Sequence, residues 1–288
     1  MNWVKVYLEH NILYYDLRCS GVTYNNSLSH ALSAVENIVE TYSPPYTLMA
    51  SGGVDSQAMI YAWLLTGVKF KVVSIKYFSN NIWFNDFDIE NLLTYQAKYK
   101  FDLELKEFDI LDFYNEKFYS IAEEYKCSSP QICSHIHNSS QLEGTVIQSG
   151  NFLGLNQVPL NYPILGLHRF QKQTKKDFIP YFFLHTPELA YSSYTAQIEQ
   201  RKTALKIYEA KVLLYKSLDF DVIPSERSYS GFEKIKTYYN NEFSNRLTLK
   251  HKLLYNPNPS TNIFDILLRY PLSDKYDPDK IIFYKNIV

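Results

Sequence analysis

The stretch from Tyr46 to Leu65 limits what this chain can fold into more than any other. A short apolar run, Tyr46 to Ala50, leads straight into Ser51-Gly52-Gly53-Val54-Asp55-Ser56, and an apolar, helix-compatible stretch, Gln57 to Leu65, follows before Gly67. The order is strand, glycine loop, helix. A loop that leaves a buried strand and enters a helix turns backbone N–H groups toward the helix start, where the macrodipole also favours negative charge. Phosphate suits such a cradle. Gly52 and Gly53 are expected to give the backbone positive φ and to let an anion approach with no Cβ in the way, while the hydroxyls of Ser51 and Ser56 add donors. Asp55 would repel a phosphate unless a divalent cation lay between them, so this reading assigns Asp55 to magnesium. The loop is not of the Walker type, which needs Lys followed by Ser or Thr after the second glycine; Val54-Asp55 stands there instead.

The flanking sequence supplies a sheet for this loop. Lys69 to Tyr77 is rich in β-branched residues and reads as a second strand, and the polar turn Asn80 to Asp88 leads to a helix over Ile89 to Tyr99. Leu103 to Phe108 reads as a third strand, Phe113 to Tyr125 as a helix, Cys127 to Pro130 as a break, and Gly144 to Gly150 as a fourth strand ending in a glycine turn. Strands separated by helices predict an α/β fold, a parallel sheet with helices on both faces, with a nucleotide over the strands' C-terminal ends. Upstream, Val4 to Leu8 and Ile12 to Leu17 suit a hairpin. Asn26 or Ser27 could cap a helix over Leu28 to Tyr42, which Pro44 and Pro45 end. Beyond Asn151, prolines 159, 163, 180 and 187 interrupt the pattern until a helix over Tyr194 to Leu218, with Glu199, Arg201, Lys202, Lys206 and Lys211 on its polar face. The predicted organisation is an appendage over 1–43, a nucleotide domain over 44–190, and a mainly helical or irregular C-terminal lobe over 191–288 covering the site.

Ser51-Gly52-Gly53-Val54-Asp55-Ser56 is similar to the SGGxDS signature of the PP-loop ATP pyrophosphatases, and the likeness extends more weakly over Tyr46 to Gly150. That family includes the synthetase domain of asparagine synthetase, GMP synthetase, NAD synthetase and several tRNA thiolases. The resemblance implies an adenine nucleotide alpha hydrolase-like fold and cleavage of ATP between its α and β phosphates. A carbonyl or carboxylate oxygen of the acceptor would attack the α phosphate, and a nitrogen or sulfur nucleophile would then displace the adenylate. It implies that Ser51, Gly52, Gly53, Asp55 and Ser56 hold pyrophosphate and magnesium, and that adenine lies against the first two strands at Met49, Ala50, Ile75 and Tyr77. Gln148-Ser149-Gly150-Asn151 resembles the second glycine turn of asparagine synthetase but lacks its acidic residues. Ser149 and Gly150 are therefore binding candidates, with a strand-end turn as the plainer reading.

Other groups are weighed by charge and spacing. His168-Arg169-Phe170, Lys172, Lys175 and Lys176 form the most basic short stretch; Arg169 and Lys172 are the candidates for contacting phosphate or a substrate carboxylate, against a solvated loop. Glu188 could bind a substrate amine or cap a helix, and capping is favoured. The turn Ser228 to Glu233 suits a lid or simple packing. Cys127 and Cys133 with His135 and His137 lack metal-site spacing, which leaves a persulfide-carrying thiol as the sharper idea and reduced thiols as the plain one.

Twenty-nine basic against 30 acidic residues leave a net charge of −1, so no global field draws the chain to nucleic acid or an anionic membrane. Nucleic acid stays a secondary option. No apolar run approaches the roughly 18 residues that span a bilayer, and Met1 to His10 has no leader-like core, so the cytoplasm is expected. Three cysteines do not make a disulfide framework or a four-thiolate site. The chain begins without the nucleophilic Cys of a glutaminase domain. The function expected is therefore an ATP- and magnesium-dependent ligase that adenylates a small acceptor, an amino acid or nucleobase acid, and uses ammonia, free or delivered by a partner. A base-modifying sulfur transferase and a nucleotide-binding protein without turnover are the alternatives. A homo-oligomer is left open.

Overall fold

A computed structural model describes residues 4–9, 12–17, 27–125, 130–150, 167, 170–171, 173–186, 188–189, 192–193, 207–224 and 234–235. The N-terminal strands, β1 (Val4–Glu9) and β2 (Ile12–Leu17), pair antiparallel from Val4↔Leu17 to Glu9↔Ile12, as the hairpin pattern predicts. Helix α1 (Ser27–Thr41) buries Ala31, Ala34, Val35 and Ile38, an i, i+3, i+4, i+7 stripe.

The main sheet follows: β3 (Tyr46–Met49), β4 (Lys71–Ser79), β5 (Ile82–Trp83), β6 (Asp102–Asp109), β7 (Thr145–Gln148) and β8 (Phe178–Ile179). The order is β5-β4-β3-β7-β8, with β6 also on β4. Every pairing is parallel except β4 with β5. From β3 the chain therefore builds outward through β4 to β6 on one side, and then adds β7 and β8 on the other. The direction of winding reverses between β3 and β7. In open α/β sheets the crevice at such a reversal, beyond the strands' C-terminal ends, is where ligands lie.

Side chains alternate across the strands and define two apolar layers. Tyr46, Leu48, Val72, Ile147 and Ile179 pack with α1, α2 (Val54–Thr66), α3 (Asp86–Tyr99) and α7 (Ile207–Ser217). Met49, Val73, Ile75, Val146 and Phe178 pack on the other face with α4 (Ile110–Glu116), α5 (Phe118–Glu124) and α6 (Pro130–Ser140). The α/β architecture with helices on both faces agrees with the sequence. Helix α2 is buried on nearly all sides, including Met59, Ile60 and Trp63, and each such side chain contributes about 1.5–3 kcal/mol of transfer free energy. Gly67 closes it in the left-handed region at φ 67°.

Three local details differ from the sequence pattern. The helix predicted over Phe113 to Tyr125 is two short helices meeting at Lys117, with Asp109 capping the first by accepting from the Leu111 and Asp112 N–H groups. Helix α6 and strand β8 have no counterpart in the sequence pattern. Pro130 at the first position of α6 and the buried Cys133 and Ile136 explain the former. At two residues, β8 is too short to show a period. Of the helix predicted over Tyr194 to Leu218, Ile207–Ser217 is helical and 194–206 lies outside the described residues.

Candidate nucleotide site at the sheet's switch point

The loop leaving β3 and the turn leaving β7 emerge side by side where the winding reverses. Their serines join them. Ser56 Oγ accepts from the Ser51 N–H at 3.1 Å, and lies 3.2 Å from Ser51 Oγ and 3.4 Å from Ser149 Oγ. The two glycine turns singled out in the sequence are thus one cluster of hydroxyls, although Ser56 and Ser149 are 93 positions apart.

Gly52 and Gly53 do different things. Gly52 has φ 90°, and a Cβ there would stand 2.0 Å from the Asp88 carbonyl oxygen, so the loop lies directly on the first turn of α3. Gly53 corrects the expectation of positive φ at both positions: it is extended, at φ −66° and ψ 163°, because it is the N-cap of α2 and that role needs β-region backbone. The nearest atom to a Cβ on Gly53 is Ser51 Oγ at 3.5 Å. With no side chain, Gly53 gives α2 no cap hydrogen bond. The N–H groups that open α2 therefore have no side-chain cap from Gly53, the arrangement that accepts an anion. Gly150, at φ 68°, is a glycine for its own reason, since a Cβ would meet Tyr181 Cδ1 at 2.1 Å.

Asp55, in the first turn of α2, reaches toward α7. Lys211 forms an ion pair with Asp55 Oδ2, and Tyr215 Oη donates to Asp55 Oδ1 at 2.6 Å. Lys211 and Tyr215 are one helical turn apart, so both reach the same carboxylate. Tyr215 is fully buried beside Phe183 and Phe220. That burial, and the negative charge of Asp55, raise its phenol well above the ordinary value, so it stays a donor.

Gln57 is a second residue that the sequence does not flag. Wholly buried, it donates from Nε2 to the Gly52 carbonyl at 2.8 Å and accepts from the Ile223 N–H at 2.7 Å. It ties the loop to the segment following α7. A polar side chain opening an apolar helix is the available signal. Asp221 in that segment is bound in turn by Lys98 and Tyr99 of α3.

Of the residues expected to face adenine, Met49 and Ala50 lie at the end of β3, and Ile75 and Tyr77 in the second half of β4. Met49, Ala50, Ile75 and Tyr77 are all buried, and the Ala50 N–H donates to Val73 O at 3.0 Å. The edge of β4 beyond β3 is already paired: Asn85 donates to the Ile75 carbonyl at 2.7 Å and accepts from the Tyr77 N–H at 2.8 Å. Burial pushes the Tyr77 phenol up to about 12.

Arg169, Lys172, His168 and Cys127 lie outside the described residues, as do 225–233. Of the basic stretch, Lys175 is exposed, and Lys176 donates to the Leu142 carbonyl just past the end of α6 rather than facing the loop. Glu188 is exposed, and Thr186 makes the cap contact, its hydroxyl accepting from the Leu189 N–H at 3.3 Å. The Cys133 thiol has no solvent exposure inside the α6 layer, a setting opposite to that of a reactive cysteine.

Magnesium tests poorly against these residues. Asp55 holds an ammonium on one oxygen and a hydroxyl on the other, and among the described residues no group of three or more His, Cys, Asp or Glu side chains could hold a metal ion. The described side chains do not fit a divalent ion held by the protein itself. A depression of about 420 Å³ bordered by Leu32, Glu36, Val39 and Leu65 lies at the opposite end of α2 and has no part in the site. Among the described residues, no helix is long and apolar enough to cross a membrane.

No family model and no curated protein matches the sequence. Solved structures that match include an NH3-dependent NAD synthetase from Campylobacter jejuni subsp. jejuni in complex with the nitrate ion, at 13% identity and a TM-score of 0.39, over 87% of this chain and 98% of that one. An NMN synthetase from Francisella tularensis matches at 11% identity and a TM-score of 0.34, over 79% and 98%. A U34-tRNA thiolase from Methanococcus maripaludis with its [4Fe-4S] cluster matches at 11% and 0.36, over 85% and 78%. At such TM-scores these likenesses carry no weight, and the reading of the site rests on the loop's own geometry.

Proposed function

We propose that this chain is a PP-loop ATP pyrophosphatase, which seats the phosphates of ATP on the 51–56 loop and transfers AMP to an oxygen of a small acceptor with release of pyrophosphate. One observation carries the reading. The hydroxyl cluster of Ser51, Ser56 and Ser149 joins both glycine turns in front of the uncapped start of α2, at the point where the sheet reverses its winding.

The chain's contribution is positional and electrostatic. The N–H groups opening α2 and the serine hydroxyls would hold the pyrophosphate end, so that charge leaving the α phosphate moves toward donors already in place. Ala50, Ile75 and Tyr77 would border the base, with Asn85 competing for the β4 edge. Arg169 and Lys172 remain candidates for the acceptor side.

The acceptor class proposed is a carboxylate, from an amino acid or a nucleobase acid, with ammonia as the second nucleophile. A pyrophosphate-release assay with ATP, an acceptor panel and ammonium tests this. Release that depends on ammonium supports it, and release that depends on a sulfur donor contradicts it. The engaged carboxylate of Asp55 favours one alternative, ATP binding without turnover, which shows as binding in an ATP titration and no pyrophosphate in the assay.

A further inference from the structure

Asp55 presents a difficulty to any phosphate on this loop. A carboxylate in the first turn of α2 stabilises the helix through its dipole but repels an incoming phosphate, and at short range that repulsion costs kilocalories rather than tenths. A cation has to stand between them. The structure already holds one: the ammonium of Lys211, paired with Asp55 where both side chains are largely covered, at 26% and 15% exposure.

Resting on the ATP reading above, we infer that Lys211 is the phosphate-facing cation of this site, doing at Asp55 what a protein-held divalent ion would otherwise do. Asp55 is then its anchor, and Tyr215 the residue that fixes the anchor. The placement is built rather than incidental. Tyr215 is locked between Phe183 and Phe220 and saturates the other carboxylate oxygen. Gln57 joins the Gly52 carbonyl to the Ile223 N–H, which ties the phosphate loop to the segment that follows α7, the helix carrying Lys211. Asp221, held by Lys98, Tyr99 and a Tyr95 hydroxyl on its carbonyl at 2.7 Å, secures the same segment to α3. An ammonium presents three donors, and Asp55 occupies only one direction in space, which leaves the others for phosphate oxygens.

The consequence is that the loop binds a pyrophosphate group with no metal ion present. Calorimetric titration of inorganic pyrophosphate and of ATP, each in excess chelator and again with magnesium, tests it on four proteins: parent, Lys211→Met, Lys211→Arg and Lys211→Met/Asp55→Asn. The parent binds pyrophosphate in chelator. Lys211→Met weakens that binding about tenfold or more, the scale of one lost charge-assisted hydrogen bond, and Lys211→Arg restores most of it. The double variant recovers part of the Lys211→Met loss, because the unpaired carboxylate is gone.

If Lys211→Met does not fold, the double variant is compared with Asp55→Asn alone, and equal pyrophosphate affinities for those two overturn the inference. Parent binding that appears only with magnesium and is indifferent to Lys211→Met overturns it too, while leaving the ATP reading intact. Failure of the parent to bind pyrophosphate or ATP under either condition removes the ATP reading itself, and this inference with it.

Discussion

Tyr215 donates its hydroxyl to Asp55 at 2.6 Å across 160 positions of sequence, and so binds the helix of the C-terminal part to the first turn of the helix behind the phosphate loop. Its ring and its hydroxyl have separate duties. The ring fills a space beside Phe183 and Phe220, and the hydroxyl satisfies a largely buried carboxylate. Tyr215→Phe keeps the first and removes the second. Urea denaturation of this variant is expected to show a loss of about 1–3 kcal/mol, the desolvation cost of a buried acceptor left with one partner fewer. A variant as stable as the parent would mean that the carboxylate is solvated.

Gly52 and Gly53 separate folding from binding. Gly52→Ala places a Cβ against the Asp88 carbonyl oxygen and forces an alanine to φ 90°, so it is expected to lower stability by about 1–3 kcal/mol or more. Gly53→Ala meets nothing closer than 3.5 Å and is expected to cost about 1 kcal/mol, the difference between glycine and alanine at an N-cap, while weakening ATP binding because its methyl stands at the start of α2. Thermal melts of the two variants in parallel with ATP titrations check both halves.

The second glycine turn makes a paired prediction. Gly150→Ala collides with the Tyr181 ring, and adding Tyr181→Ala removes the collision but not the positive φ. The double variant is expected to be more stable than the sum of the single losses implies, a coupling of about 0.5–3 kcal/mol for residues in contact. Additive losses in a double-mutant cycle would show that the ring yields freely.

The loop and its flanks are legible in the sequence because several signals coincide there: an apolar strand, two glycines, a helix start and the strand-helix alternation that follows. The parallel sheet is legible for the same reason. What the sequence hides is made by long-range contact. Lys211 looks like one more charge on the polar face of a helix, and nothing local distinguishes a solvated lysine from one turned onto Asp55 156 positions away. The partners of Gln57 and Asn85 are hidden likewise: a polar residue opening an apolar helix marks Gln57, but nothing local shows that either carboxamide will sit between two backbone groups. Gly53 departs from expectation because the sequence shows a glycine pair but not which member turns the chain.

Stability should fall on acidification through a window set by two partly buried histidines. Burial lowers His135 from 6.5 to about 4, against a smaller opposing contribution from its hydrogen bond with Gln148, and burial lowers His185 to about 4 as well. A depressed folded-state value means that the unfolded chain takes up the proton first. The stabilising contribution is therefore complete above about pH 6.5 and is lost as pH falls toward about 4, at roughly 1.4 kcal/mol or less for each histidine over each pH unit of that window. Denaturant midpoints measured from pH 7 to pH 4 should decline, and the decline should be shallower in His135→Gln. An unchanged slope in that variant would place His135 in solvent.

If the 51–56 loop grips the phosphate end of ATP, a crystal structure with a non-hydrolysable ATP analogue shows it most directly. Phosphate oxygens are predicted within hydrogen-bonding distance of the N–H groups opening α2 and of the Ser51 and Ser56 hydroxyls, with Lys211 Nζ on a phosphate oxygen. Phosphates lying away from the start of α2, or a nucleotide bound elsewhere on the sheet, would contradict that central claim.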